Sequence, residues 1–256
     1  MSKFDSIILD GKVAVITGGH SGIGYYLTQA LLSAGMKVAI LARRADVLEK
    51  AASALEGEVV PVVCDVRNPE SVREAFQEID QRLGPIDVLI NNAAVFTVYR
   101  IGDATDEEIQ GTIETNVMGA MYCTREAIKS MRAGQRKGQI VSISSESVSD
   151  PFPYLTAYAV SKAAIETFMQ GLKVELKKDG IRAGILRLGA VIVPGRMANL
   201  GGDPKRVKEF FAELMASQKL KDGITGIAPA TVAASLLHML QQPENASIDF
   251  LELRTR

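Results

Sequence analysis

A buried strand that runs into a glycine-rich turn and then into a helix constrains the fold of this chain more than any other feature. Residues 12–17 (KVAVIT) form a continuous apolar, β-branched run, which is typical of a strand buried on both faces of a parallel sheet. The turn Gly18-Gly19-His20-Ser21-Gly22-Ile23-Gly24 follows, and a helical pattern extends through Ser33. Because glycines let backbone N–H groups approach a pyrophosphate and a helix N-terminus adds a favourable dipole, this unit predicts a phosphate site. The alternative is a simple tight connection.

The rest of the chain alternates between apolar runs and helical patterns. The six further predicted strands are 38–42, 59–64, 86–90, 139–143, 181–188 and 248–253. This alternation predicts an α/β fold over residues 1–256, a single-domain, doubly wound parallel sheet (Rossmann-like) of about seven strands with helices on both faces. Pro61 cannot donate to a ladder, so we expect the third strand at the sheet edge.

Composition excludes several classes of protein. Lys and Arg number 29 against 30 for Asp and Glu, so no basic field indicates nucleic acid or an anionic membrane as a partner. The apolar runs are too short to span a membrane, and the N-terminal one is too short and too acidic for a secretory signal. Two cysteines and two histidines predict neither a disulfide framework nor a metal site. We therefore expect a cytoplasmic protein.

Two arginines at the end of the second strand bear on the choice of nucleotide. NAD-type sites place a carboxylate about twenty residues after the glycines, to bind the ribose 2′-hydroxyl. Here Arg43 and Arg44 occupy that region. A 2′-phosphate pairs with a guanidinium and is repelled by a carboxylate, so the pattern predicts NADP(H) over NAD(H). The alternatives are solvated arginines, or Asp46 performing the acidic role.

Polar residues also follow the third, fourth and fifth strands. Asp65 is predicted either to bind an adenine amino group or to cap the helix 69–83, and the run Asn91-Asn92-Ala93-Ala94 either to tie strand ends together or to contact the cofactor. Ser145 follows the fifth strand. Ligands of doubly wound sheets bind at the carboxyl ends of the strands, so we expect these side chains to share one crevice with the glycine turn.

A tyrosine and a lysine four residues apart predict acid–base chemistry in that crevice. Tyr158 and Lys162 lie at the start of the helical pattern 157–178, where this spacing puts them on one face. A free phenol titrates near pH ~10, and a nearby cation lowers that pKa, which brings Tyr158 closer to proton transfer at neutral pH. The Ser145 hydroxyl is placed to bind the same substrate oxygen. We expect a site that moves a proton to or from an oxygen while another group moves a hydride.

Three helical segments are expected to surround this site. A helix from about Asp106 carries Asn116, which either satisfies backbone groups or holds a water in a proton relay behind Lys162. The helix 157–178 has a broad apolar stripe, which predicts core packing or a subunit interface. Residues 189–226, with Gly201-Gly202 as hinges and an amphipathic segment, are predicted as a substrate lid; the alternative is a static surface helix.

These motifs together resemble those of the short-chain dehydrogenase/reductase family over nearly the whole chain. The matching residues are Thr17-Gly18-x-x-x-Gly22-Ile23-Gly24, Asp65-Val66, Asn91-Asn92-Ala93, Asn116, Ser145 and Tyr158-x-x-x-Lys162. The resemblance implies hydride transfer from NADPH to a carbonyl carbon, while Tyr158 protonates the oxygen and Ser145 orients it. It also implies that Lys162 binds the nicotinamide ribose and lowers the Tyr158 pKa. Asn116 is implied to anchor a water, and the chain to form a homo-oligomer, a tetramer or dimer.

The chain departs from the family pattern at three positions. Ala94 stands where the family has glycine, Leu188-Gly189 stands where it commonly has Pro-Gly, and Val193 stands where it commonly has a threonine that holds the nicotinamide carboxamide. We expect backbone groups near Val191 to hold the carboxamide instead.

Two functions follow from these motifs. The first is an NADPH-dependent carbonyl reductase, reversible as an alcohol dehydrogenase, acting on a small to medium ketone, aldehyde or secondary alcohol. The second is a catalytically weak NADP-binding sensor or scaffold, suggested by Val193. The predicted pocket residues are Val95, Phe96, Glu146, Phe152, Leu155 and the lid 189–226.

Overall fold

A seven-stranded parallel sheet organises the protein. The computed structural model describes residues 8–194, 203–216 and 226–255. Within them the strand order is β3-β2-β1-β4-β5-β6-β7, and each strand is parallel to its neighbours. The strands are β1 (Val13–Thr17), β2 (Lys37–Ala42), β3 (Val59–Val63), β4 (Val88–Asn91), β5 (Gln139–Ser145), β6 (Arg182–Leu188) and β7 (Phe250–Leu253). The predicted doubly wound α/β fold is confirmed.

Helices cover both faces of the sheet, and each face has its own core. The helices are α1 (Gly22–Ser33), α2 (Ala45–Ser53), α3 (Pro69–Leu83), α4 (Asp106–Ile113), α5 (Ala120–Ala133), α6 (Thr156–Glu175), α7 (Pro204–Ala216) and α8 (Pro229–Leu240). On one face the buried side chains of α3, α5 and α6 pack against the sheet. On the other face those of α1, α2 and α8 do so. Both faces of the sheet are therefore buried beneath helices. This explains why the strands are continuous apolar runs rather than alternating apolar and polar residues.

The position of Pro61 is confirmed. It lies in β3, opposite Ile40 of β2, and β3 is an edge of the sheet. The missing N–H of proline therefore costs no ladder bond on the outer side.

The helical region around Asn116 differs from the prediction of one regular helix. Helix α4 ends at Ile113, a π-helical turn spans Glu114–Gly119, and α5 then begins at Ala120. Asn116 is buried within this turn. Such turns frequently occur at functional sites, because the extra residue changes the direction of neighbouring side chains.

Hydrogen bonds at the start of α3 and the packing of α6 bear on two other expectations. The predicted capping of α3 by Asp65 is wrong, because Asn68 is the N-cap and its Oδ1 accepts hydrogen bonds from the Glu70 and Ser71 amides. The apolar stripe of α6, including Ile165, belongs to the core beneath the sheet.

Part of the predicted lid 189–226 can be described. Helix α7 is its amphipathic segment, and Phe210 is buried there. The predicted hinge Gly201-Gly202 lies outside the described residues. Among the residues described, we find no helix with the length and apolar character to cross a membrane.

Candidate active site

The glycine turn between β1 and α1 has the backbone that a phosphate site requires. Gly18 and Gly22 have φ of +68° and +58°, which side-chain-bearing residues rarely adopt. A Cβ on Gly24 would lie 2.3 Å from the Gly18 carbonyl oxygen, so α1 packs too closely on the turn for any side chain there. Thr28, which sequence reasoning missed, places Oγ1 2.9 Å from the Gly24 oxygen and 3.1 Å from that of Gly19. A threonine within a helix can donate from its hydroxyl to the backbone carbonyl four residues earlier, and this was the available signal for Thr28.

The first turn of α1 presents donors to this site. Ser21 is the N-cap, with extended backbone, and its side chain makes no capping bond to the helix. Instead Ser21 Oγ lies 3.2 Å from His20 Nε2, while His20 Nδ1 is buried and has no hydrogen-bond partner among the described residues. Burial, with a smaller contribution from the Arg44 charge, lowers the pKa of His20. Uncapped helix N–H groups and an unpartnered ring nitrogen fit an anionic ligand such as a pyrophosphate.

The two arginines lie where β2 ends and α2 begins. Arg43 and Arg44 are both exposed, and Arg44 is the N-cap residue of α2. The Gly18 amide donates to the Leu41 carbonyl at 2.7 Å, which puts this strand end beside the glycine turn. Asp46 is also exposed and lies in the first turn of α2, where the helix dipole stabilises a carboxylate.

Asp65 and Val66 follow β3. The Asp65 carboxylate accepts hydrogen bonds from the Arg67 guanidinium, at 2.6 Å to Nη2, and from the Arg67 amide. The hydrogen bond from Arg67 is the largest cause of the lowered pKa of Asp65. An adenine amino group would share this carboxylate with Arg67. Val66 is buried, and a Cβ on Gly119 would lie only 2.8 Å from it, so the π-helical turn packs directly on this strand end.

The asparagine pair ties strand ends together, as one of its two predicted roles required. Asn92 Nδ2 donates to the carbonyl oxygens of Thr17, at 2.9 Å, and Gly18, at 3.3 Å. The amides of Asn92 and Ala93 donate to Thr17 Oγ1, at 3.0 and 2.9 Å. Asn91 Nδ2 donates to Thr124 Oγ1 at 3.0 Å. These bonds hold the ends of β1 and β4 in register below the glycine turn.

Tyr158 and Lys162 share one face of the first turns of α6. Lys162 is buried, and its Nζ donates to the Ile143 carbonyl of β5 at 2.8 Å. The same Nζ lies 5.6 Å from the centre of the Tyr158 ring. Tyr158 is half-buried and packs edge-on against Phe96, with 4.9 Å between ring centres. A cation, a phenol and an apolar wall therefore meet at the end of β5.

Ser145 and Asn116 complete this group. Ser145 is the last residue of β5, and its Oγ accepts from the Ser147 amide at 3.2 Å. Asn116 Oδ1 accepts from the Val95 amide at 2.7 Å, and its Nδ2 donates to Ser161 Oγ at 3.0 Å. Asn116 thus satisfies backbone, one of its two predicted roles. A cavity of ≈ 10 Å³, lined by Asn116 and Lys162 among others, has about the volume that one water requires.

The segment after β6 contains the residues expected near a carboxamide. Val191 forms an isolated parallel bridge with Ile227, in which the Ile192 amide donates to Ile227 O at 3.1 Å and the Ile227 amide to Ala190 O at 2.8 Å. Val193 is buried and has no hydroxyl. Backbone groups are thus the polar groups that Val191 and Val193 bring to this end of the sheet.

Comparison with known proteins agrees with this geometry. The family model described as "short chain dehydrogenase" matches residues 12–200, which is most of the chain. The chain belongs to the short-chain dehydrogenase/reductase family. It is similar to an uncharacterized oxidoreductase of Staphylococcus saprophyticus, with 30% identity over 250 residues that cover 96% of this chain and 98% of the relative.

Two further similarities extend the comparison. A short chain dehydrogenase of Pseudocercospora fijiensis is 35% identical over 191 residues, which are 72% of this short-chain dehydrogenase/reductase and 60% of the relative. The chain therefore spans about three fifths of that protein's length. Among solved structures, an alcohol dehydrogenase from the archaeon Thermococcus sibiricus, complexed with 5-hydroxy-NADP, superposes with a TM-score of 0.78. It is 28% identical and covers 94% of this chain and 95% of its own.

Proposed function

We propose that this protein is an NADPH-dependent carbonyl reductase, reversible as an alcohol dehydrogenase. The observation that carries the proposal is the meeting of Tyr158, Lys162 and Ser145 at the same edge of the sheet as the glycine turn. A nucleotide held at β1 and a phenol held beside β5 can reach a common substrate only at this edge.

The residues at the edge fit a nicotinamide dinucleotide. The turn Gly18–Gly24, including His20, Ser21 and Ile23, and the N-terminus of α1 would hold the pyrophosphate. Asp65 and Val66 would border the adenine, and Asn92 and Ala93, with backbone near Val191, would line the remainder. When bound, the dinucleotide supplies or accepts the hydride. Arg43 and Arg44 support NADP(H), since their charges suit a 2′-phosphate. The Thermococcus sibiricus relative, whose structure contains an NADP derivative, supports the same choice.

The proton chemistry rests on side chains of α6 and β5. Tyr158 Oη donates a proton to the carbonyl oxygen during reduction and accepts one from the alcohol during oxidation. Ser145 Oγ donates a hydrogen bond to the same oxygen and fixes its position. The buried Lys162 ammonium stabilises negative charge on the phenol oxygen. Asn116 holds the π-helical turn against Val95 and borders the cavity from which a water can return the proton.

The apolar surroundings of Tyr158 favour an apolar carbonyl substrate of moderate size. Tyr158 packs against a buried cluster that includes Val98, Leu155 and Phe210, together with the partly buried side chains of Phe96, Phe152, Val207, Phe211 and Leu214. Glu146 is a polar residue beside this cluster, and it lies close to Gly189, where a Cβ would be 2.9 Å from Glu146 Oε2. Ketones or aldehydes with one apolar arm fit this lining. We propose that 189–226, with α7, acts as the substrate lid of a single NADP-binding domain spanning 1–256.

A second candidate is an NADP-binding sensor or scaffold with weak turnover. Val193 favours it, because a buried valine cannot offer the hydroxyl that would hold a carboxamide. For either candidate we propose a cytoplasmic homo-oligomer, a tetramer or dimer.

NADPH oxidation across a panel of ketones and aldehydes tests the proposal. We expect turnover on apolar members, slower turnover with NADH, and a loss of two orders of magnitude or more, about 10²–10⁴-fold, in the Tyr158→Phe variant with unchanged NADPH binding. Tyr122→Phe, which removes a tyrosine hydroxyl on α5 away from the site, is the matched control. NADPH binding without turnover on any carbonyl would favour the sensor, and undiminished turnover in Tyr158→Phe would remove the phenol from the mechanism.

A further inference from the structure

Tyr154 has a backbone conformation that a bulky residue rarely adopts. Its φ is +66°, in the left-handed region, where an L-residue other than glycine costs about 1–2 kcal/mol. Among the residues that the structure describes, Gln135 is the other non-glycine residue with positive φ, and it is exposed. Tyr154 is only 6% exposed. A strained backbone beneath a buried ring indicates that contacts of the ring compensate for the strain.

Those contacts lead to helix α7. Tyr154 Oη donates to Glu209 Oε2 at 3.2 Å, and its ring meets that of Phe210 edge-on, with 6.4 Å between centres. The Arg100 guanidinium lies over the same ring, 4.6 Å from its centre, and also pairs with Glu213. Three residues of α7, spaced over little more than one turn, thus contact Tyr154 or Arg100.

The backbone of Tyr154 directly precedes helix α6, which carries Tyr158. Its carbonyl accepts from the Tyr99 amide at 3.1 Å, which fixes the peptide against the segment after β4. The next residue, Leu155, is the N-cap of α6 and makes no side-chain capping bond. Leu155 O accepts the Ala159 amide at 2.8 Å, so Tyr158 stands in the first turn of the helix. N–H groups of a first turn lack partners within the helix, and the residues that precede it therefore set its position.

We propose that Tyr154 is a positioning residue that joins α7 to the first turn of α6, so that one side chain holds both helix α7 and the phenol of Tyr158. The proposal rests on the proposed function for its catalytic consequence, but the mechanical link does not. Core packing alone would require only an aromatic ring. It would not require the hydroxyl bond to Glu209 or the guanidinium stack. An aromatic ring carried on a backbone with negative φ would fill the same space without the conformational cost.

The link makes a specific prediction about substrates. Phe96 and Tyr158 pack against the same buried cluster as Val207 and Phe211 of α7, and the proposed function makes this cluster a wall of the substrate pocket. If Tyr154 holds both α7 and Tyr158, its loss widens the pocket and misplaces the phenol together. Bulky and small apolar ketones will then lose rate to a similar degree in kcat, whereas a change that only enlarged the pocket would alter KM for bulky ketones.

Hydrogen exchange and kinetics on three variants of the full chain test this proposal. Tyr154→Gly removes every ring contact and relieves the backbone strain, Tyr154→Phe removes only the hydroxyl, and Gln135→Gly relieves positive φ at an exposed site. In Tyr154→Gly we expect amide exchange to rise about tenfold in both 204–216 and 156–160. We expect kcat to fall about 10- to 100-fold, with the NADPH dissociation constant unchanged. Tyr154→Phe should restore most of kcat and leave α7 exchange only partly raised, and Gln135→Gly should match the wild type.

Wild-type exchange in both segments of Tyr154→Gly would overturn the proposal, as would a rise in 204–216 alone with unchanged kcat. If Tyr154→Gly does not fold, Glu209→Gln and Tyr154→Phe take its place. Equal exchange rates to wild type in 204–216 for both would then overturn the link. Absence of carbonyl turnover in the wild type would refute the proposed function but not this proposal, because the exchange measurement needs no substrate.

Discussion

Lys162 donates from Nζ to the carbonyl oxygen of Ile143 at 2.8 Å, from a side chain that is 4% exposed. Two residues beyond Ile143, β5 ends at Ser145. One cation therefore fixes helix α6, with Tyr158, to the strand that carries the serine. The bond also supplies a partner for a charge that would be costly to bury alone.

Replacing Lys162 with methionine should separate catalysis from folding. Lys162→Met keeps most of the aliphatic stem and removes both the charge and the donor. We expect kcat to fall by about 10²-fold or more, and the free energy of unfolding to fall by about 1–3 kcal/mol because the Ile143 carbonyl loses its partner. NADPH-coupled turnover and urea unfolding measure the two effects. Lys137→Met, at an exposed lysine, should change neither. Full activity in Lys162→Met would contradict the role of the ammonium.

The glycine turn should be intolerant of a methyl group at Gly24. A Cβ there would lie 2.3 Å from the Gly18 oxygen and 2.6 Å from Asn92 Nδ2, so Gly24→Ala must push α1 away from the turn. We expect the NADPH dissociation constant, measured by fluorescence titration, to rise at least about tenfold. Gly102→Ala is the matched control, since a Cβ on Gly102 meets no atom of the described part of the chain within 4 Å. Unaltered binding in Gly24→Ala would show that the nucleotide lies elsewhere.

The arginines after β2 should decide between the two nucleotides. Arg43→Ala and Arg44→Ala each remove a charge suited to a 2′-phosphate. A lost charge-assisted bond is worth about 1.5–3 kcal/mol, which is about tenfold or more in the NADPH dissociation constant, and NADH binding should not change. Arg82→Ala on α3, which removes an exposed arginine paired with Glu78, controls for net charge. Equal NADPH affinities in all three variants would refute the 2′-phosphate assignment.

Much of this architecture follows from the sequence because its signals are local. Strands buried on both faces are continuous apolar runs, and Pro61 identifies an edge without any knowledge of its neighbours. Asn68 directly before Pro69 was also a readable cap signal, and a stronger one than Asp65.

Other features depend on tertiary contacts. The π-helical turn at Glu114–Gly119 shifts hydrogen bonds by one residue, and no residue type marks it. The positive φ of Tyr154 depends on a ring held by α7, about fifty residues further along the chain. The residue types in the π-helical turn and at Tyr154 do not by themselves predict these contacts.

Cys64 should be nearly inert to alkylation at neutral pH. Burial, the largest cause, raises the pKa of its thiol to about 11. Only the thiolate reacts, so the rate of carbamidomethylation by iodoacetamide should rise about tenfold per pH unit between pH 8 and 10. The folded protein favours the neutral thiol, so its contribution to stability is full below the unfolded pKa near 9 and is lost as pH rises toward 11. Peptide mass spectrometry of native and urea-unfolded protein measures the difference, and equal rates in the two would contradict the burial argument.

The buried ion pair between Arg187 and Glu166 should be the most costly pair to break. Arg187 Nε donates to Glu166 Oε1 at 2.8 Å, and Ser144 Oγ donates to the same oxygen at 2.6 Å. The two side chains are only 14% and 9% exposed, so removal of the carboxylate leaves a guanidinium with a more distant partner, Glu252 at 3.5 Å. Glu166→Leu should therefore lower the free energy of unfolding by about 3 kcal/mol.

The double variant Glu166→Leu/Arg187→Met distinguishes this cause from lost packing. With both charges absent there is no unpaired buried ion, and apolar side chains of similar volume fill the space between β6 and α6. The double variant should therefore unfold at a higher urea concentration than Glu166→Leu alone. Asp179→Leu, at the exposed pair with Arg132, should have a far smaller effect because solvent screens that pair. A double variant less stable than the single one would show that the pair itself, rather than the avoidance of an unpaired charge, stabilises this side of the sheet.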